Sequence, residues 1–204
     1  MKRTLLLTSC GLSDPMKDIF IRKCGKNPNE LRVLLVPTAG IESDGAREGL
    51  AICLDELDKM GIRNENILVY NLELILSKSY QRTYSAYVAK PAMISRLLTV
   101  EEAKSFDTIF VTGGDASVLC REMRRTGFDE VLTAAVNEGL VYVGISAGSM
   151  FAAGNLSEGL RFIPNGIIPH WNGDKMLAMP ENNGDILLSD GQAVYIEDDQ
   201  VSLL

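Results

Sequence analysis

The sequence predicts an α/β fold: a three-layer sandwich whose mostly parallel central sheet is flanked by helices, with short antiparallel strands near the C-terminus. Three observations carry this. Short apolar runs rich in Val, Ile and Leu recur up to residue 146, and most are followed by a turn and a segment of helical character. Continuous apolar runs of that length fit parallel strands buried on both faces. After Phe151 the rhythm changes to a Gly-, Pro- and Asn-rich stretch that ends in "ILLSDGQAVYIEDDQVSLL", which reads as short antiparallel strands with turns at Asp190-Gly191 and Asp198-Asp199.

The elements follow in order. "TLLLTS" (4–9) is the first strand. The two cations before it precede too short an apolar core for a signal peptide. A helix over 14–24 leads to the second strand, "LRVLLVPT" (31–38). In the next helix, 43–60, Leu50, Leu54, Leu57 and Met60 form one stripe, which is core. "NILVYNL" (66–72) is the third strand. The segment 73–98, with three tyrosines in "SKSYQRTYSAYVAK", fits a covering loop or a packed helix edge and is assigned to helix. "DTIFVTGG" (107–114) and "LVYVGIS" (140–146) are the fourth and fifth strands, separated by helices over 115–125 and 128–138.

Composition narrows the function classes. The 204 residues are 46% hydrophobic and 23% charged, with no internal repeat or linker, and are read as one domain, 1–204. No apolar stretch reaches the roughly 18 residues of a membrane span, so a cytoplasmic protein with no membrane partner is expected. A net charge of -7 argues against nucleic acid as a partner, and the basic cluster "CREMRRTG" (120–127) reads as a solvated helix face. Cys10, Cys24, Cys53 and Cys120 lack paired spacing, and there is a single histidine, so buried reduced thiols are expected, with no metal and no cofactor. A monomer or a homodimer is expected.

The chemistry centres on "YVGISAGSM" (142–150), where Ser146 stands between small residues at a strand-to-helix turn. Such a turn can hold a serine on an exposed nucleophile elbow. A serine needs a base, and only His170, in "GIIPHWNGD", is available. An oxyanion hole needs fixed backbone N–H groups, for which "VTGGD" offers Gly113 and Gly114, and the elbow offers Ala147. Gly-Gly-Asp is equally an ordinary turn with Asp115 as helix cap. The loops "TGGD" and "ISAG" emerge together at the carboxyl ends of the strands, where open α/β sheets bind ligands. An acid to orient His170 could be Asp174, Glu181, Asp185, Asp190 or Glu197. Of these, Asp190 precedes a late strand on the side of the elbow, whereas Glu197 is expected at the far end of the sheet.

In this order and spacing, "VTGGDASVL", "GISAGSM" and "IIPHWN" resemble the dipeptidase E and cyanophycinase family of serine peptidases over nearly the whole chain. The resemblance implies a fold similar to the class I glutamine amidotransferases, with serine in place of cysteine, and hydrolysis of peptide bonds next to aspartate. It assigns Ser146 as nucleophile, His170 as base, Gly114 and Ala147 as oxyanion donors, and Asp190, in "SDGQAV", as the acid. Gly113, Asp115 and Lys175 are the expected substrate contacts, with Arg161 the next cation for a substrate carboxylate. An esterase of the α/β-hydrolase type would need Glu158 as its acid, and a catalytically silent binding domain is the reading from another class.

Overall fold

The five apolar runs form five parallel strands: β1 (Thr4–Thr8), β2 (Val33–Val36), β3 (Ile67–Val69), β4 (Thr108–Val111) and β5 (Val141–Ile145), in the spatial order β3-β2-β4-β5-β1. The computed structural model describes residues 3–41, 44–84, 95–173, 184–198 and 200–204. Every residue of β2 and β4 is buried, as the continuous apolar runs require. Two short strands, β6 (Ile167–Ile168) and β7 (Ile186–Leu187), pair with each other in a separate ribbon. β8 (Ala193–Glu197) adds antiparallel to β1, with Thr8 opposite Ala193 and Thr4 opposite Glu197, and β9 (Gln200–Leu203) closes the sheet as its seventh strand.

Alternate residues of the strands feed two cores, which makes three layers. Leu5, Leu7, Ile109, Val111 and Tyr142 face one side, and Leu6, Val33, Leu35, Phe110 and Val143 the other. The second side is covered by α1 (Asp14–Cys24) through Met16 and Phe20, and by α2 (Asp44–Lys59) through Cys53 and Leu57. Two short helices, α3 (Lys78–Thr83) and α4 (Val100–Lys104), border the first side. That side is covered by α5 (Ala116–Thr126), α6 (Phe128–Asn137) and α7 (Ala147–Ala152), through Leu119, Met123, Leu132 and Phe151. Among the described residues, no helix is long and apolar enough to cross a membrane.

Four expectations are corrected. Ile186 and Leu187 pair in parallel with Ile167 and Ile168, so the Asp190-Gly191 turn makes no hairpin but carries the chain from the small ribbon into the main sheet. Among the described residues, the expected helix over 73–98 is found as Lys78–Thr83, with 75–77 and 96–98 outside any helix, and 85–94 lie outside the described residues. The basic cluster is not simply a solvated face: Glu122 is buried within it, paired with Arg121 at 3.0 Å and Arg125 at 2.6 Å, while Arg125 also donates to the carbonyls of Leu72 and Ile75. The four thiols are free, but Cys10 is exposed and Cys24 half-buried.

Candidate active site

β5 delivers Ser146 into a turn that only small neighbours allow. A Cβ on Gly144 would fall 2.8 Å from the carbonyl of Gly148, and one on Gly148 would fall 2.1 Å from the Val111 oxygen. The glycines of "GISAG" are therefore packing requirements. Ser146 itself takes φ 49 and ψ -106, a sparsely populated conformation for a residue with a side chain. Its N–H donates to the Thr8 carbonyl at 3.0 Å, and the buried Ser149 hydroxyl lies 2.8 Å from the carbonyls of both Thr8 and Gly144, tying the elbow to β1.

His170 arrives from β6 through Pro169 and takes φ 57. Its Nε2 lies 3.0 Å from Ser146 Oγ, and its Nδ1 lies 2.7 Å from Asp190 Oδ1. Asp190 sits in the turn before β8, where Gln192 N–H donates to the Ser189 carbonyl and Gly191 takes φ 88. The structure thus brings Ser146, His170 and Asp190 into one hydrogen-bonded line. Ser9, at the carboxyl end of β1, joins them: its hydroxyl donates to Asp190 Oδ1 at 2.8 Å and accepts the backbone N–H of His170 at 2.7 Å. The Ser9 hydroxyl, the largest influence, and with it the imidazole hold the Asp190 carboxyl below the ordinary aspartate range against the opposing effect of burial.

The "TGGD" loop lies against the elbow, since a Cβ on Gly113 would be 3.2 Å from Ser146 Cβ. Gly114 takes φ 134, and a Cβ there would fall 2.0 Å from the Ala39 oxygen. Ala39 O also accepts the N–H of Asp115 at 2.7 Å. Gly113, Gly114, Ser146 and His170 line a cavity of ≈ 590 Å³, shared with Ser9, Cys10 and residues of α2. Asp115 is not among the described residues that line it. It caps α5 by accepting the N–H groups of Ser117 and Val118 at 2.7 and 3.1 Å, which hold its carboxyl below the ordinary range. Lys175 lies outside the described residues, as do Asp174 and Glu181. Arg161 is exposed and absent from the cavity wall.

The competing acids lie elsewhere. Glu197 pairs with Lys23 at 2.6 Å, at the opposite end of β8 from Asp190. Asp185 packs against Gly166, where a Cβ would fall 2.3 Å from its Oδ1. Glu158 is exposed and lines a different cavity, with Arg121 and Arg124. Ser9 was missed by the sequence reading. Its signal was a polar residue ending an apolar parallel strand, on the edge of the sheet where ligands bind.

A serine on a strand-to-helix elbow, in line with an imidazole and a carboxylate, is the arrangement of a serine hydrolase site. The chain belongs to peptidase family S51, whose family model matches residues 90–204. Curated relatives include a Peptidase E of Streptomyces coelicolor, 37% identical over 78 residues (32% of each chain), and an uncharacterized peptidase of Listeria monocytogenes, 28% identical over 83 residues (32% of this chain, 40% of that one). The chain thus spans less than half the length of these relatives. A crystal structure of a candidate Peptidase E protein from Listeria monocytogenes matches the whole chain and 98% of its own, with TM-score 0.66 at 21% identity. A peptidase from an acI-B1 Actinobacterium matches with TM-score 0.63 at 17% identity, over the whole chain and 88% of its own. These two structures share the fold.

Proposed function

We propose that this chain is a serine peptidase acting on small peptides through Ser146, His170 and Asp190. The observation that carries the reading is the unbroken line from Ser146 Oγ to His170 Nε2 at 3.0 Å and from His170 Nδ1 to Asp190 Oδ1 at 2.7 Å. As Ser146 Oγ attacks the substrate carbonyl carbon, Nε2 takes its proton. The imidazolium so formed is held by the Asp190 carboxylate, which also fixes the tautomer that leaves Nε2 free to accept. The backbone N–H groups of Gly114 and Ala147 receive the developing oxyanion, a contribution of about 100- to 1,000-fold per donor in comparable sites. Nε2 then returns the proton to the leaving amine, and water, deprotonated by the same nitrogen, releases the acyl group from Ser146.

The test is labelling with a fluorophosphonate probe, with Ser146→Ala as control, beside a turnover screen of dipeptides and simple esters. Labelling confined to the serine-bearing protein, with cleavage of peptides, is expected. A folded protein that neither takes the label nor cleaves any peptide would be a silent binding domain, and labelling with turnover of esters alone would make it an esterase.

A further inference from the structure

One face of α2 forms a wall of the cavity beside Ser146. Gly45, Gly49, Ile52, Cys53 and Glu56 recur at helical spacing and all line it. The glycines leave room, since a Cβ on Gly45 or Gly49 would meet nothing within 4 Å. Glu56 closes the far end of this face. Its carboxylate lies over Gly11, where a Cβ would fall 2.8 Å from Oε1. Gly11 belongs to the β1 loop that carries Ser9, so the Glu56 carboxylate and the candidate catalytic groups converge on the same few residues.

Among the described residues, the charge lining this cavity has one sign. Among the described lining residues, Glu56 is the one carboxylate, and there is no lysine or arginine. Asp190 adds a second negative charge against His170. Lys17, the cation acting most strongly on Glu56, is already held by Asp14 at 3.1 Å. A substrate carboxylate entering here would face two like charges, whereas a cation would gain a partner in a partly desolvated site. Desolvation pushes the Glu56 carboxyl above its ordinary range, against smaller lowering by Lys17 and by the Leu12 backbone N–H, so a cation beside it would offset part of the cost of burying its charge.

We infer that Glu56 is a specificity-determining residue that receives a cationic group of the peptide substrate, the α-ammonium of a free N-terminus or a Lys or Arg side chain. The inference rests on the reading of Ser146 as a peptidase nucleophile, and it points away from the aspartyl substrates that the family resemblance implies.

The experiment measures kcat/KM on peptide amides that differ only in the residue before the scissile bond, Lys, norleucine or Asp, each with a free and an acetylated N-terminus. Ratios are taken within each variant, so a general loss of activity cancels. In the unsubstituted protein the side-chain source predicts Lys over norleucine by about tenfold or more, and the terminal source predicts free over acetylated by a similar factor. Asp peptides are expected to be the poorest. Glu56→Gln, which keeps an acceptor for the Leu12 N–H, should bring the favoured ratio close to one, and Glu56→Lys should turn it toward Asp. Slowing of fluorophosphonate labelling at Ser146 by the same peptides ranks them without turnover. Ser146 labelling with ratios that Glu56→Gln does not move, or with a preference for Asp, overturns the role of Glu56 alone. Neither label nor turnover in folded protein overturns the peptidase reading itself.

Discussion

The Ser9 hydroxyl accepts the backbone N–H of His170 at 2.7 Å and passes its own hydrogen, at 2.8 Å, to the Asp190 oxygen that the imidazole also meets. Ser9 is thus a positioning residue for both partners. Ser9→Ala should lower kcat on the order of tenfold with little change in KM, because misplacing a base weakens the chemical step rather than ground-state binding. Ser9→Thr should recover part of the loss. The hydroxyl is the largest influence holding the Asp190 carboxyl down, so its removal should raise that titration toward 3.8. A depressed carboxyl stabilises the fold above its unfolded value and loses that contribution as pH falls through the folded one, so Ser9→Ala should melt lower than the unsubstituted protein near neutral pH, with the difference shrinking as pH falls below 3.8. An NMR titration of the Asp190 carboxyl, beside kcat, checks both; no change in either would remove Ser9 from this role.

Asp190 and Glu197 bracket β8, and only one of them faces the imidazole. Asp190→Asn keeps an oxygen for Ser9 and tolerates the turn, yet its amide favours the wrong imidazole tautomer. A fall in kcat of about 10,000-fold is expected. Glu197→Gln, at the end of the sheet where Lys23 holds it, should leave kcat unchanged. Steady-state kinetics on the two purified variants decide, and the reverse pattern would move the acid to Glu197.

The neighbouring glycines of the "TGGD" loop should respond differently to alanine. At Gly114 the new Cβ would overlap the Ala39 oxygen at 2.0 Å with φ at 134, so the expected result is a large loss of thermal stability, which masks any effect on catalysis. At Gly113 the Cβ would press on the Ser146 side chain at 3.2 Å, where a small shift of the nucleophile relieves it. Gly113→Ala should therefore melt close to the unsubstituted protein and lose on the order of tenfold in kcat/KM. Calorimetry and kinetics on both variants test the contrast.

Away from the site, Arg96 grips Glu102 through two bonds, at 2.6 and 2.8 Å, and the backbone N–H of Thr99 adds a third. Together, Arg96 first, they hold the Glu102 carboxyl at about 2. The stabilisation is present above pH 4.5, the ordinary glutamate value, and is lost as pH falls toward about 2. Glu102→Gln should consequently melt lower than the unsubstituted protein at neutral pH, and the difference in Tm should vanish toward pH 2. A difference independent of pH would show that packing, not charge, is at stake.

Local sequence carried much of this fold because parallel strands buried on both faces must be continuously apolar, and because an elbow with glycines on both sides is required by close backbone approach. Ser146 and the solitary His170 could be named on that basis. Partnerships between distant segments were not legible. Nothing local pairs Ile186 with Ile167, brings the Ala39 carbonyl to Gly114, or turns the Ser9 hydroxyl toward Asp190, 181 residues away. Glu122 was hidden for a related reason: an Arg-rich helix face looks solvated until the carbonyls of Leu72 and Ile75 come to meet Arg125. Glu56 was masked by the apolar stripe of the same helix.

Ser146 and His170 both sit at positive φ, 49 and 57, where a side chain costs of order 1–3 kcal/mol at the elbow and less in the left-handed region. The consequence appears under selection. A library screened for heat resistance alone should enrich glycine at position 146 and glycine or asparagine at 170, accumulating robust proteins without a nucleophile or a base. Any engineering of this scaffold toward durability must therefore score turnover in the same round.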